Sequence, residues 1–171
     1  YILSPKQIAK ADEATIKNNG ITSLDLMEHA ATLCFQWLHT RLQGQKIKIH
    51  VFCGIGNNGG DGLVIARHLY QHHYNVSCYV VNFSDKRSEG YLENYKLLKE
   101  LGACPIVING KNDFPEVDFE DIVIDAIFGN GLTRKPSSFT KKLIEYINST
   151  KVYTLAIDCL LYTSPHISEP T

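Results

Sequence analysis

The sequence predicts an α/β domain with a doubly wound, mostly parallel sheet, and three observations carry that prediction. Short β-branched or aromatic runs recur from Ile47 onward, amphipathic helical patterns separate most of them, and polar, glycine-rich turns follow the first and fourth runs. A chain of 171 residues, 44% hydrophobic and 20% charged, suits one such domain.

The elements follow in order. Ser4-Pro5-Lys6-Gln7 combines a capping serine, a proline at the first helical position and a glutamine that completes a capping box. Ile8, Ala11 and Thr15 give that helix a weakly apolar face, and Asn19-Gly20 stops it. Thr22 or Ser23 caps a second helix, in which Leu24, Met27, Ala31, Cys34 and Leu38 recur at steps of three and four until about Gly44. Strands are then expected at Ile47–Cys53, Val76–Asn82, Pro105–Ile108, Ile122–Phe128 and Val152–Ile157. Helices are expected at Gly62–His72, Ser88–Leu101 and Phe139–Ile147, and Asn109–Asp121 reads as a connecting loop. Such alternation argues for right-handed βαβ units in a three-layer, Rossmann-like arrangement, with the first two helices as an N-terminal arm.

Composition excludes several function classes. Seventeen basic and eighteen acidic residues leave a net charge of −1, which offers no general attraction to nucleic acid or to an anionic membrane. No apolar run approaches the ~18 residues of a membrane span. Tyr1-Ile2-Leu3-Ser4-Pro5 is no secretory signal, and the missing initiator Met reads as a trimmed or partial chain. Five scattered cysteines, Cys34, Cys53, Cys78, Cys104 and Cys159, form no C-x-x-C pair; they read as structural thiols in a reducing compartment, the cytoplasm. His68 and His72 lie four apart but lack the acid of H-E-x-x-H, and read as solvated. No Walker lysine and no G-x-S-x-G elbow is present, so P-loop and serine-hydrolase chemistries are excluded.

In doubly wound sheets, ligands bind beyond the carboxyl ends of the strands at the switch point, so the residues after each strand matter most. After the first strand, Gly54-Ile55-Gly56-Asn57-Asn58-Gly59-Gly60-Asp61-Gly62 formally contains the G-x-G-x-x-G dinucleotide fingerprint. Its glycines would let a ligand approach the main chain, and the amides opening the next helix could hold an anion. Asp61 reads either as a helix-start carboxylate or as a ligand contact. Asp125, inside an apolar strand, needs a hydrogen-bonding loop amide or a hard cation beside it. Gly129-Asn130-Gly131-Leu132-Thr133-Arg134-Lys135 is a second candidate anion-holding loop, with Arg134 as a two-pronged phosphate ligand or as a surface cation. Asp158, after the last strand, faces the same end as a proton-transfer acid or as a turn residue.

Taken together, these segments resemble the NAD(P)HX epimerase family, the YjeF N-terminal domain. The matching pieces are Asp25-Leu26-Met27-Glu28-His29-Ala30, the Gly54–Leu63 string, Ala66-Arg67-His68-Leu69, and Asp125-Ala126-Ile127-Phe128-Gly129-x-Gly131-Leu132-x-Arg134, within a likeness from about Ser4 to Asp158. The resemblance implies interconversion of the R and S epimers of hydrated NADH or NADPH, an isomerase step in nicotinamide nucleotide repair. It also implies substrate contacts from Asn57, Asn58, Gly59, Gly60, Asp61 and from Gly129, Asn130, Gly131, Leu132, Thr133, Arg134 and Lys135. Asn58 and Asp125 would hold a potassium ion, and Asp158 would sit by the reacting ring as the catalytic residue. A homodimer and a dehydratase, fused or separate, are implied as partners. The alternatives are a non-catalytic binding or scaffold module on the same fold, the front part of a bifunctional epimerase/dehydratase, and an ordinary dehydrogenase in which Asp85 would hold the ribose.

One departure stands out. The family's last aspartate begins Asp-x-Pro-Ser-Gly, whereas Asp158 is followed by Cys159-Leu160-Leu161-Tyr162. The expectation is therefore a C-terminally incomplete domain over residues 1–158 and a non-family tail over 159–171. Such a chain would lack one cation ligand, expose a sheet edge, and show weak or absent activity and poor solubility.

Overall fold

The computed structural model describes residues 4–129 and 135–158. Two helices, α1 (Pro5–Asn19) and α2 (Ser23–Leu42), precede β1 (Lys48–Cys53), α3 (Asn57–Gln71), β2 (Asn75–Val81) and α4 (Glu89–Glu100). They are followed by β3 (Ile106–Ile108), a 3-10 turn at Lys111–Asp113, β4 (Ile122–Ala126), α5 (Ser138–Thr150) and β5 (Tyr153–Ala156). The ends of α1 and the start of α2 follow their sequence signals. Gln7 Oε1 accepts from the Ser4 amide at 2.8 Å, and Gly20 closes α1 in the left-handed region at φ 62. Thr22 and Asp25 exchange hydrogen bonds at the start of α2, at 3.1 and 2.8 Å. The buried stripe of α2 is Ala31, Phe35, Leu38 and Leu42, turned slightly from the one read from Leu24 and Cys34 because α3 lies against its far half.

The five strands form one sheet in the order β3-β2-β1-β4-β5, parallel throughout. Chain progress reverses direction between β1 and β4, which places the switch point above Cys53 and Ala126, paired partners in that register. Side chains alternate across the sheet. Ile49, Val51 and Cys53 of β1 enter a core with α2, α3 and α4, whereas Phe52 enters a second core with Leu143 and Ile147 of α5. Among the described residues β5 is an edge strand, and its Tyr153 is exposed.

One element differs from its sequence reading in a way that matters for the site. Helix α3 starts at Asn57, not Gly62, with Gly56 as its N-cap. Most of the glycine-rich turn is thus helix. Its glycines are small for packing, because the only glycines with left-handed φ among the described residues are Gly20, Gly44 and Gly102. A Cβ on Gly59 would strike the Gly54 carbonyl oxygen, and one on Gly62 would come within 2.5 Å of Ala126 Cβ. The first turns of α3 lie directly on the ends of β1 and β4.

Candidate functional site

The main chain at the switch point is closely knit. Gly54 N donates to Ala126 O at 2.9 Å, and Ile157 N donates to Asp125 O at 3.0 Å, so the ends of β1, β4 and β5 are tied in sequence. Above them, Asn58, Gly129 and Asp158 converge. A Cβ placed on Gly129 would lie 2.6 Å from Asp158 Oδ2 and 3.1 Å from Asn58 Cβ. Gly129 is therefore the slot across which the amide and the carboxylate face one another.

Asn58 is the most informative side chain. It is 9% exposed, and among the described residues neither Nδ2 nor Oδ1 has a hydrogen-bond partner. A buried amide is left unpaired at a cost of about 1–3 kcal/mol, so a group held there against that cost is aimed at something else. Asn57, by contrast, is exposed, with Oδ1 near Gly90 at the start of α4. Gly59 and Gly60 are buried beneath them.

Asp61 lies in the second turn of α3 because the helix begins four residues earlier, so the reading of Asp61 as a helix-start carboxylate is corrected. Burial pushes its carboxyl up to about 7, with the charges of Asp158 and then of Asp12 on α1 adding to the effect. The arm thus contributes an acidic side chain near the site, a link with no signal in the sequence. Asp125 is half-buried; burial raises its carboxyl, while the hydrogen bond that Oδ1 accepts from Ile127 N at 3.0 Å opposes that rise. It makes no hydrogen bond to Asn58. Lys135 is exposed, and Asn130, Gly131, Leu132, Thr133 and Arg134 lie outside the described residues, as does Cys159.

Met27 and Gly90 do work that sequence reasoning missed. The Met27 thioether fills the notch where α3 and α4 meet: a Cβ on Gly60 would be 2.7 Å from its Sδ, and one on Gly90 2.5 Å from its Cε. The visible signal was a methionine five residues after the α2 cap, with small residues opening two other helices. Glu28 accepts from Arg67 Nη2, and His68 Nε2 lies 3.0 Å from Thr32 Oγ1 while its ring stacks on Phe35. His68 is thereby half-buried in the α2–α3 seam rather than solvated, while His72 is exposed. Among the described residues, no group of three or more His, Cys, Asp or Glu side chains could hold a metal ion, and no helix is long and apolar enough to cross a membrane.

The sheet order defines a doubly wound α/β protein, with polar side chains converging at the switch point above β1 and β4. Residues 23–159 match the family described as YjeF-related protein N-terminus, and the chain belongs to that family. It is 33% identical over 157 residues to a protein of Oenococcus oeni named NAD(P)H-hydrate epimerase, covering 91% of this chain and 72% of that one. It is 29% identical over 164 residues to the bifunctional NAD(P)H-hydrate repair enzyme Nnr of Moorella thermoacetica. There it covers 92% of this chain but only 31% of the relative, so the chain spans about a third of the bifunctional protein. The crystal structure of yeast ynu0, YNL200c, superposes with a TM-score of 0.82 at 26% identity, covering all of this chain and 76% of that one.

Proposed function

We propose that the chain is an NAD(P)H-hydrate epimerase domain that interconverts the R and S epimers of hydrated NADH and NADPH. The observation that carries this reading is the buried Asn58 amide, without a hydrogen-bond partner among the described residues, facing Asp158 across Gly129 in a chain whose relatives are named for that activity. Epimerisation requires the hydrated ring carbon to break and remake its bond, either to the hydroxyl, which leaves and returns as water, or to the ring nitrogen. Either route moves one proton onto a leaving group and back. In this reading Asp158 moves it, and Asn57 through Asp61 hold the substrate in position for it.

A potassium ion belongs to the same proposal. The orphaned Asn58 Oδ1 fits a cation that takes neutral oxygens, and Asp125 at the end of β4 would supply the carboxylate. Bound there, the ion would offset negative charge near the substrate. Homodimer assembly, a cytoplasmic location and a dehydratase partner, fused or separate, complete the reading. Exposed Leu33 and Trp37 on the outer face of α2 support self-association.

The test is exchange between resolved epimers of hydrated NADH, followed by chromatography or NMR. The chain accelerates exchange over buffer, and Asp158→Asn lowers the rate by about 10²–10⁴-fold. An Asp158→Asn variant with the full rate removes Asp158 from the role, and a wild-type chain with no effect on either hydrated nucleotide removes the activity.

A further inference from the structure

Proton transfer at Asp158 leaves the other end of a dinucleotide unaccounted for, and the rim above β2 has the chemistry to receive it. Strands run β2-β1-β4-β5, so the ends of β2 and β5 are three inter-strand spacings apart, ~14 Å at ~4.8 Å each, within the reach of an extended dinucleotide. The loop after β2 is bonded to the turn after β1, with Ser88 N donating to Ile55 O at 3.1 Å.

In dinucleotide-binding sheets, an acidic residue at about this place holds the ribose 2′-hydroxyl, and it disfavours a 2′-phosphate; an arginine accommodates the phosphate instead. Here the residue following β2 is the neutral Asn82, not a carboxylate. Its Oδ1 accepts from Arg87 Nη2 at 2.9 Å, and its Nδ2 donates to Asn109 Oδ1 at 2.8 Å. Arg87 Nη1 donates to the Asp85 carbonyl at 2.9 Å. The guanidinium is thus half-buried and fixed by neutral oxygens, and among the described residues it forms no ion pair. Lys86 beside it is exposed. Asp85, the sequence candidate for a ribose-binding acid, engages Arg87 through its main chain; the opposing charges are its own exposed carboxylate in this loop and that of Glu89 at the start of α4.

We propose that Arg87, oriented by Asn82, is the residue that recognises an adenosine 2′-phosphate and so biases the site toward the phosphorylated form of its nucleotide. This rests on the dinucleotide-hydrate reading above. A pyrophosphate would compete for the same cation, but the amides opening α3 are better placed for it.

The experiment separates the two claims by measuring binding as well as turnover. Calorimetric titration with adenosine 2′,5′-bisphosphate and with AMP needs no epimerisation. The wild-type chain binds the bisphosphate ~10–100-fold more tightly than AMP, the range of one or two charge-assisted hydrogen bonds. Arg87→Ala removes that preference while leaving AMP affinity within about 2-fold, and Arg87→Lys restores part of it. In turnover, Arg87→Ala lowers kcat/KM for hydrated NADPH and spares hydrated NADH. Equal losses for both nucleotides would make Arg87 a brace of the loop, and an unchanged preference would remove it from recognition; either overturns the proposal. A chain that shows the binding preference but exchanges no epimers would instead overturn the epimerase reading alone.

Discussion

Asp61 has a measurable consequence at the scale of one residue. Its carboxyl titrates near 3.8 in the unfolded chain and at about 7 in the folded protein. The folded state therefore holds a proton that the unfolded state has lost, and stability falls as pH climbs from about 4 to about 7, then levels off. Asp61→Asn imitates the protonated form and abolishes that slope. At pH 8 it is more stable than the wild type, by at most roughly 4 kcal/mol at ~1.36 kcal/mol per unit, and at pH 4 the two are nearly equal. Urea unfolding of both proteins at the two pH values checks this, and a difference that does not change with pH refutes it. The identity of this residue was legible in the sequence, and its environment was not. Desolvation and the charges of Asp12 and Asp158 come from α1 and from the end of β5, and no spacing rule brings those three positions together.

At the scale of the element, the start of α3 shows how tertiary packing overrode local preference. A glycine inside a helix costs about 1 kcal/mol against alanine, so a string of them reads as a turn, and the helix was expected only from Gly62. The structure begins it at Asn57 because these glycines let α3 lie on the sheet without a Cβ between them. The same geometry grades the substitutions. Gly59→Ala drives a Cβ into the rigid Gly54 carbonyl and costs about 3 kcal/mol or more. Gly60→Ala meets the end of the flexible Met27 side chain and costs less, ~1–2 kcal/mol. Adding Met27→Ala to Gly60→Ala recovers part of the loss, which a denaturation double-mutant cycle reads as favourable coupling. Strict additivity, or a Gly59→Ala variant as stable as the wild type, would show that α3 does not sit this tightly. Helix caps were the better-read feature, since Ser4 stands where the sequence placed it and Thr22 is one of the two residues offered for α2.

Across the whole molecule, the parallel sheet and its switch point were legible, because alternating strands and helices with right-handed crossovers leave few arrangements. The partition of each strand between two cores was less so, since a strand buried on both faces reads as a continuous apolar run. His50 illustrates the difficulty. Fully buried in β1, it points to the α5 side, where Nε2 lies 2.9 Å from Asp121 Oδ2 and Nδ1 lies 3.2 Å from the Tyr79 hydroxyl, a polar network that no motif announced. The two cores differ in build. One is walled by three helices, and the other is covered mainly by α5. They share every central strand, however, because consecutive residues of β1 and β4 enter opposite cores. A cavity on either side therefore loosens the sheet that the other side packs on, and the molecule should unfold as one cooperative unit. Leu69→Ala, on the α3 side, and Leu143→Ala, on the α5 side, each remove a fully buried side chain and should cost about 2–5 kcal/mol. Both variants should retain a single transition that coincides by far-ultraviolet circular dichroism and by Trp37 fluorescence, shifted to lower urea with little change in slope. If Leu143→Ala instead melted the α5 face in a separate early step while the Trp37 signal stayed native, the two cores would be independent, and the loop ends they support at the rim would not be held by one scaffold.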